Sequence, residues 1–91
     1  NYQGPTHVYQ IMKEGEIQKI GESAQGLNKW GQSKRATAQA RKLERETGEP
    51  HKTEIIERFG NKRDARAFET QQIVEMKQQN PNALPLNKNK H

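Results

Sequence analysis

Apolar positions alternate early in the chain and then switch to a helical period. From His7 to Lys13, the β-branched and aromatic residues Val8, Tyr9 and Ile11 predict a strand. Residues 16–20, with Ile17 and Ile20, predict a second strand, ended by Gly21. Glu14-Gly15 lies between them as a turn in which Gly15 is free to take positive φ, so the two strands should pair as an antiparallel hairpin. Residues 22–33 hold Ser23, Gly26, Gly31 and Ser33 and read as a loop. Its Trp30, the sole tryptophan, most simply pins the loop to the body. The functional alternative is a platform on which a base stacks.

From Lys34 to Thr47, Ala36, Ala40, Leu43 and Thr47 form one narrow stripe at helical spacing. Ser33 is placed to cap its start, and Gly48 with Pro50 ends it. A stripe so rich in alanine predicts a close approach to its neighbour. Residues 51–59, with Ile55, Ile56 and Phe59, return to strand character. Gly60-Asn61 turns the chain, Asn61 caps a second helix with Asp64 in its first turn, and Asn80-Pro81 stops it near Gln79. Residues 1–6 read as a flexible lead-in and residues 82–91 as a tail. The expected fold class is a small α+β domain over residues 7–91, of order β-β-α-β-α, with a three-stranded antiparallel sheet and helices packed on it.

Composition makes this core scarce. Leu, Ile, Val and Phe together number fourteen of 91 residues, a share at which disorder competes with folding. Marginal stability is therefore expected. There is no cysteine, which excludes disulfides and thiolate metal sites, and no apolar run long enough to cross a membrane. The first residue is not Met, and the expectation is a fragment of something longer. Sixteen Lys and Arg against eleven Asp and Glu leave a net charge of +5. Residues 76–91 carry Lys77, Lys88 and Lys90 with no carboxylate. Such an excess attracts polyanions, nucleic acid above all. The run Lys42, Glu44, Arg45, Glu46 reads as exposed ion pairs of little energetic value.

One carboxylate falls in the wrong place for solubility. On a helical wheel Ala65, Phe68, Ile73 and Met76 share one apolar face of the second helix, and Glu69 falls inside it, between Met76 and Ile73. A carboxylate there must be neutral, paired with a cation, or bound to a metal. The plainer alternative is a rim Glu that reaches solvent or an Arg. On the first helix Arg35 borders the packed face beside Gln39, and Arg41 points further away.

The hairpin then acquires a second meaning. His7-Val8-Tyr9, followed ten residues after Tyr9 by Lys19-Ile20-Gly21, resembles the two-part signature of the GIY-YIG nuclease superfamily. Arg35 on the first helix, Glu69 on the later helix and Asn87 near the end fit the places of that family's other motif residues in order. His7 stands where the first motif has Gly, and Lys19 where the second has Tyr. The phrase Lys19-Ile20-Gly21-Glu22-Ser23 looks like the toxin-associated, URI-like branch. Domains of that branch sit at the C-terminal ends of secreted bacterial effectors of the contact-dependent inhibition and Rhs types.

The resemblance implies a metal-dependent endonuclease toxin. Tyr9 would act as general base toward water, with Lys19 supporting its ionised form or holding a phosphate oxygen. Glu69 would hold Mg²⁺ or Mn²⁺, and Arg35 would neutralise charge in the transition state. His7 is a further catalytic candidate. Gln39, Arg41 and Asn87 are substrate-binding candidates, with a polar rim, a solvated face and tail ordering as their plainer roles. His51 is a weaker candidate than His7. Expected partners are DNA or RNA and a cognate immunity protein, with no membrane. The expected site of action is the cytoplasm of a target bacterium, after secretion within a larger effector. The rival expectation is a catalytically inactive nucleic-acid-binding or protein-interaction module on the same fold.

Overall fold

A computed structural model describes residues 5–87. The elements are β1 (Thr6–Lys13), β2 (Glu16–Ser23), α1 (Lys34–Thr47), β3 (Lys52–Phe59) and α2 (Lys62–Gln79). The strands form one antiparallel sheet in the order β2-β1-β3. The small α+β domain expected from the sequence is the fold observed. Lys13 pairs with Glu16, and Glu14 and Gly15 both take positive φ (53° and 80°), as a two-residue type I′ turn requires.

Both helices begin and end where their capping residues direct. Ser33 Oγ accepts the Ala36 N–H at 3.1 Å, and Asn61 Oδ1 accepts the Asp64 N–H at 2.8 Å. Gly48, in the left-handed region, returns its N–H to the Glu44 carbonyl. The helices take opposite faces of the sheet, because neighbouring residues of β1 point to opposite sides. Val8 packs with Ile20, Ala65, Ile73 and Leu84 on the α2 side. Tyr9 and Ile11 pack with Ala36, Ala40 and Leu43 on the α1 side, whose core is small because α1 contributes mainly alanine.

Element ends depart from the expectation at several points. Thr6, expected in the lead-in, is buried and opens β1; residues 1–4 of that lead-in lie outside the described residues. β2 runs on through Gly21 to Ser23, because β1 offers it partners as far as His7. Thr47 ends the alanine stripe in solvent. Among the described residues no ion pair falls within the run 42–46; Glu44 instead accepts the His51 N–H at 3.0 Å. The tail is the largest correction. Leu84 is fully buried, and the segment to Asn87 runs along the outer edge of β2. Lys88 and Lys90 lie outside the described residues.

Candidate functional site

The site is built around the one glycine of the hairpin that must be a glycine for reasons of space. Tyr9, on the central strand and 1% exposed, pairs with Gly21 of β2. Its ring leans over that residue. A Cβ at position 21 would stand 2.5 Å from the Tyr9 hydroxyl oxygen and 2.6 Å from Cζ. The phenol thus occupies the volume that any side chain would need. The Tyr9 hydroxyl donates to Gln39 Oε1 at 2.8 Å. Gln39 lies one turn after Arg35 on α1, so α1 presents both side chains to the phenol.

Electrostatics tie four groups together. Burial raises the proton affinity of Tyr9, and the Arg35 guanidinium against it pulls the other way, while the Glu69 charge adds to the rise. Lys19 is pushed below its ordinary value by burial and by Arg35, with Glu69 opposing. Glu69, 7% exposed on α2, is pushed up to about 7 by burial and by the neighbouring Glu22 charge, against Arg66 and Lys19. Burial therefore works on phenol, amine and carboxyl alike in favour of their neutral forms. A bound cation would favour the charged phenol and carboxyl, and a bound phosphate the charged amine.

Glu22 is the residue that sequence reasoning missed. Its Oε1 lies 3.5 Å from Arg66 Nη2 and 3.8 Å from Lys62 Nζ, while its buried Oε2 has no hydrogen-bond partner. Period-two alternation along β2 carries the signal, because it sets Glu22 on the same face as buried Ile20 and so toward α2. Glu69 and Glu22 together are the carboxylates that would hold a divalent cation. Among the described residues no group of three or more His, Cys, Asp or Glu converges. Mg²⁺ needs only one or two protein carboxylates, because it keeps several waters and takes phosphate oxygens. The orphaned Glu22 oxygen is the observation that fits such an ion.

The remaining candidates fall elsewhere. The His7 ring lies 6.1 Å from that of Tyr9, but its Nε2 is hydrogen-bonded to Ser33 Oγ at 2.7 Å. Burial and Arg58 lower its proton affinity and hold it neutral. It ties β1 to the start of α1, two residues before Arg35. Asn87, expected at substrate, accepts the Ile20 N–H at 2.7 Å and donates to the Ile20 carbonyl at 2.9 Å, which commits its amide to the edge of β2. Arg41 lies apart from the Tyr9 cluster. It lines a cleft of about 370 Å³ between α1 and β3, with Thr37, Glu44, His51 and Lys52. His51 Nδ1 is 2.9 Å from the Glu49 carbonyl oxygen. Trp30, expected to pin its loop, is 69% exposed.

The structure therefore gathers Tyr9, Arg35 and Gln39 on the α1 side of the sheet, with Glu69 and Glu22 on the α2 side; the Glu69 charge is felt by both Tyr9 and Lys19, while His7, Asn87 and Arg41 make other contacts. Comparison with known proteins adds no relative: no protein-family model, no curated protein and no solved structure matches the chain.

Proposed function

We propose that this domain is a metal-dependent endonuclease that hydrolyses phosphodiester bonds of nucleic acid and serves as the toxin domain of a bacterial effector, similar to the URI-like branch of the GIY-YIG superfamily. The reading is supported above all by one juxtaposition. A buried phenol lies over Gly21 with an exposed guanidinium against it, and a half-buried amine and a buried carboxyl stand within electrostatic reach. Perturbed groups of opposite kinds collected in this way are a mark of a reactive site. Tyr9 takes the proton of the attacking water, and its hydroxyl is held in position by Gln39. Arg35 and Lys19 meet the phosphate oxygens. Glu69 and Glu22 would hold Mg²⁺ or Mn²⁺, which supplies stabilisation of the leaving oxygen when bound. An acidic immunity protein covering this cationic site is the expected partner of such a toxin, and the cytoplasm of the target cell the expected place of action.

Two observations favour a second reading. Lys19 stands where the motif has a tyrosine, and burial raises the proton affinity of Tyr9, which opposes a phenolate. On that reading the domain binds nucleic acid, or an acidic protein, without cleaving anything. Incubation of the chain with plasmid DNA and tRNA side by side, with and without Mg²⁺, separates the two. The nuclease reading expects ion-dependent cleavage that falls about 10²-fold or more in Tyr9→Phe and Glu69→Ala. Absence of cleavage, or equal cleavage by Glu69→Ala, removes it; salt-dependent binding without hydrolysis selects the rival. Toxicity on expression that Arg35→Ala abolishes would separate a toxin from a simple interaction module.

A further inference from the structure

The loop between β2 and α1 is held rigid while keeping a tryptophan in water. Its backbone bonds run from Asn28 N to the Gln32 carbonyl at 2.8 Å, from Gly31 N to the Asn28 carbonyl at 3.0 Å, and from Lys34 N to the Gly26 carbonyl at 3.1 Å. Asn28 Oδ1 accepts from the backbone N–H of both Trp30 (2.9 Å) and Gln32 (3.0 Å). An isolated bridge joins Leu27 to Ser33. None of these bonds uses the Trp30 side chain, which is 69% exposed. Ordering a loop and leaving its largest apolar group in solvent are both unfavourable. Rigid, exposed aromatic groups of this kind are what binding sites present.

The surroundings indicate the ligand. A protein interface clusters apolar side chains around its anchors. Here the other large apolar side chain exposed among the described residues is Val74, on α2. Around Trp30 the chain is cationic instead. Residues 23–43 contain Lys29, Lys34, Arg35, Arg41 and Lys42 and no carboxylate. The first turn of α1 carries Lys34 and Arg35 with no acidic residue, against the helix dipole. Lys29 Nζ lies 4.7 Å from the centroid of the Trp30 ring, over one of its faces, and the opposite face is left for a second planar group. A π-surface flanked by cations matches a base together with its phosphate.

The geometry points to Trp30 as a stacking site for an unpaired nucleobase, with Lys29 and Lys34 on the adjoining phosphates. This rests on the nucleic-acid reading above and deepens it, because it makes single-stranded or splayed nucleotides the preferred ligand. Trp30 precedes Arg35 by five residues on the segment that leads into α1.

The sole tryptophan is its own reporter. The chain is titrated in EDTA with an oligothymidylate and with a duplex of equal length, following Trp30 fluorescence, while anisotropy of a labelled oligonucleotide gives the affinity. The expected result is saturable quenching, stronger for the single strand. Trp30→Ala should weaken binding about tenfold or more, with Trp30→Phe retaining most of it. Lys29→Gln should lower the salt slope by about one. Circular dichroism should be unchanged in each variant, since Asn28 holds the loop. Binding without quenching, binding unaffected by Trp30→Ala, equal quenching by the duplex, or quenching that appears only with a protein partner would overturn the assignment. The two readings fail separately. Metal-dependent cleavage with no Trp30 response leaves the nuclease without this site, and quenching without cleavage leaves the site without the nuclease.

Discussion

Gly21 and Tyr9 occupy one volume between them. With the phenol oxygen and Cζ at 2.5 and 2.6 Å from where a Cβ would stand, Gly21→Ala must displace the ring, which is itself core on the α1 side. Overpacking of that kind costs about 1–3 kcal/mol, and the expected outcome is a lower midpoint in urea together with loss of any activity that depends on Tyr9. Glu69 shows the opposite economy, a buried acid that weakens the fold. Its folded-state value of about 7 lies above the ordinary 4.5, so the folded protein keeps a proton that the unfolded chain has released. Stability from this group is greatest below pH 4.5, falls as pH rises to about 7, and stays low above it. The penalty at pH 8 is roughly 3 kcal/mol at most. Glu69→Gln should therefore be more stable than wild type at pH 8 and little different at pH 4.5, as thermal melts at the two pH values would show. A constant difference between them would mean that Glu69 is already charged and paired.

The element that most departs from its sequence reading is the segment after α2. β2 is an edge strand, and unpaired edges invite aggregation. Here the Leu86 N–H reaches the Gln18 carbonyl at 3.0 Å, and Asn87 closes both polar groups of Ile20. Leu84, at a φ of 54° that non-glycine residues seldom adopt, drives its side chain into the α2 core. Leu84→Ala should cost about 2–4 kcal/mol, enough to leave this marginal domain substantially unfolded at physiological temperature. Circular dichroism melts would show it, and a melting temperature unchanged by the substitution would reduce the segment to a passenger.

At the scale of the whole molecule, two pairs of cations among the described residues stand in different places. Arg35 and Lys19 belong to the Tyr9 cluster at the β2 edge, while Arg41 and Lys52 line the cleft at the β3 edge. The two arginines are six residues apart on one helix, yet they should behave differently. Arg35→Ala is expected to lower the cleavage rate about 10²-fold. Arg41→Ala should change it by no more than a few-fold and act chiefly on salt-dependent affinity. Rates measured at saturating nucleic acid separate these effects, and equal losses in the two variants would mean that the clefts work as one.

Much of this was legible in the chain. Period-two and helical patterns, Ser33 and Asn61 as caps, and Gly48 as a stop set the five elements, because those signals act within a turn or two of the residues that carry them. The misplaced Glu69 was equally visible on the wheel. Tertiary structure alone decided what the single-residue signals left open. It sent the phenol over Gly21 and set Glu22 beside Glu69. It bound His7 to Ser33 and Asn87 to Ile20, and it left Trp30 in solvent. Apart from the exposure of Trp30, each of these joins residues far apart in sequence, through a contact or a hydrogen bond that exists only once the sheet has put β1 between its neighbours.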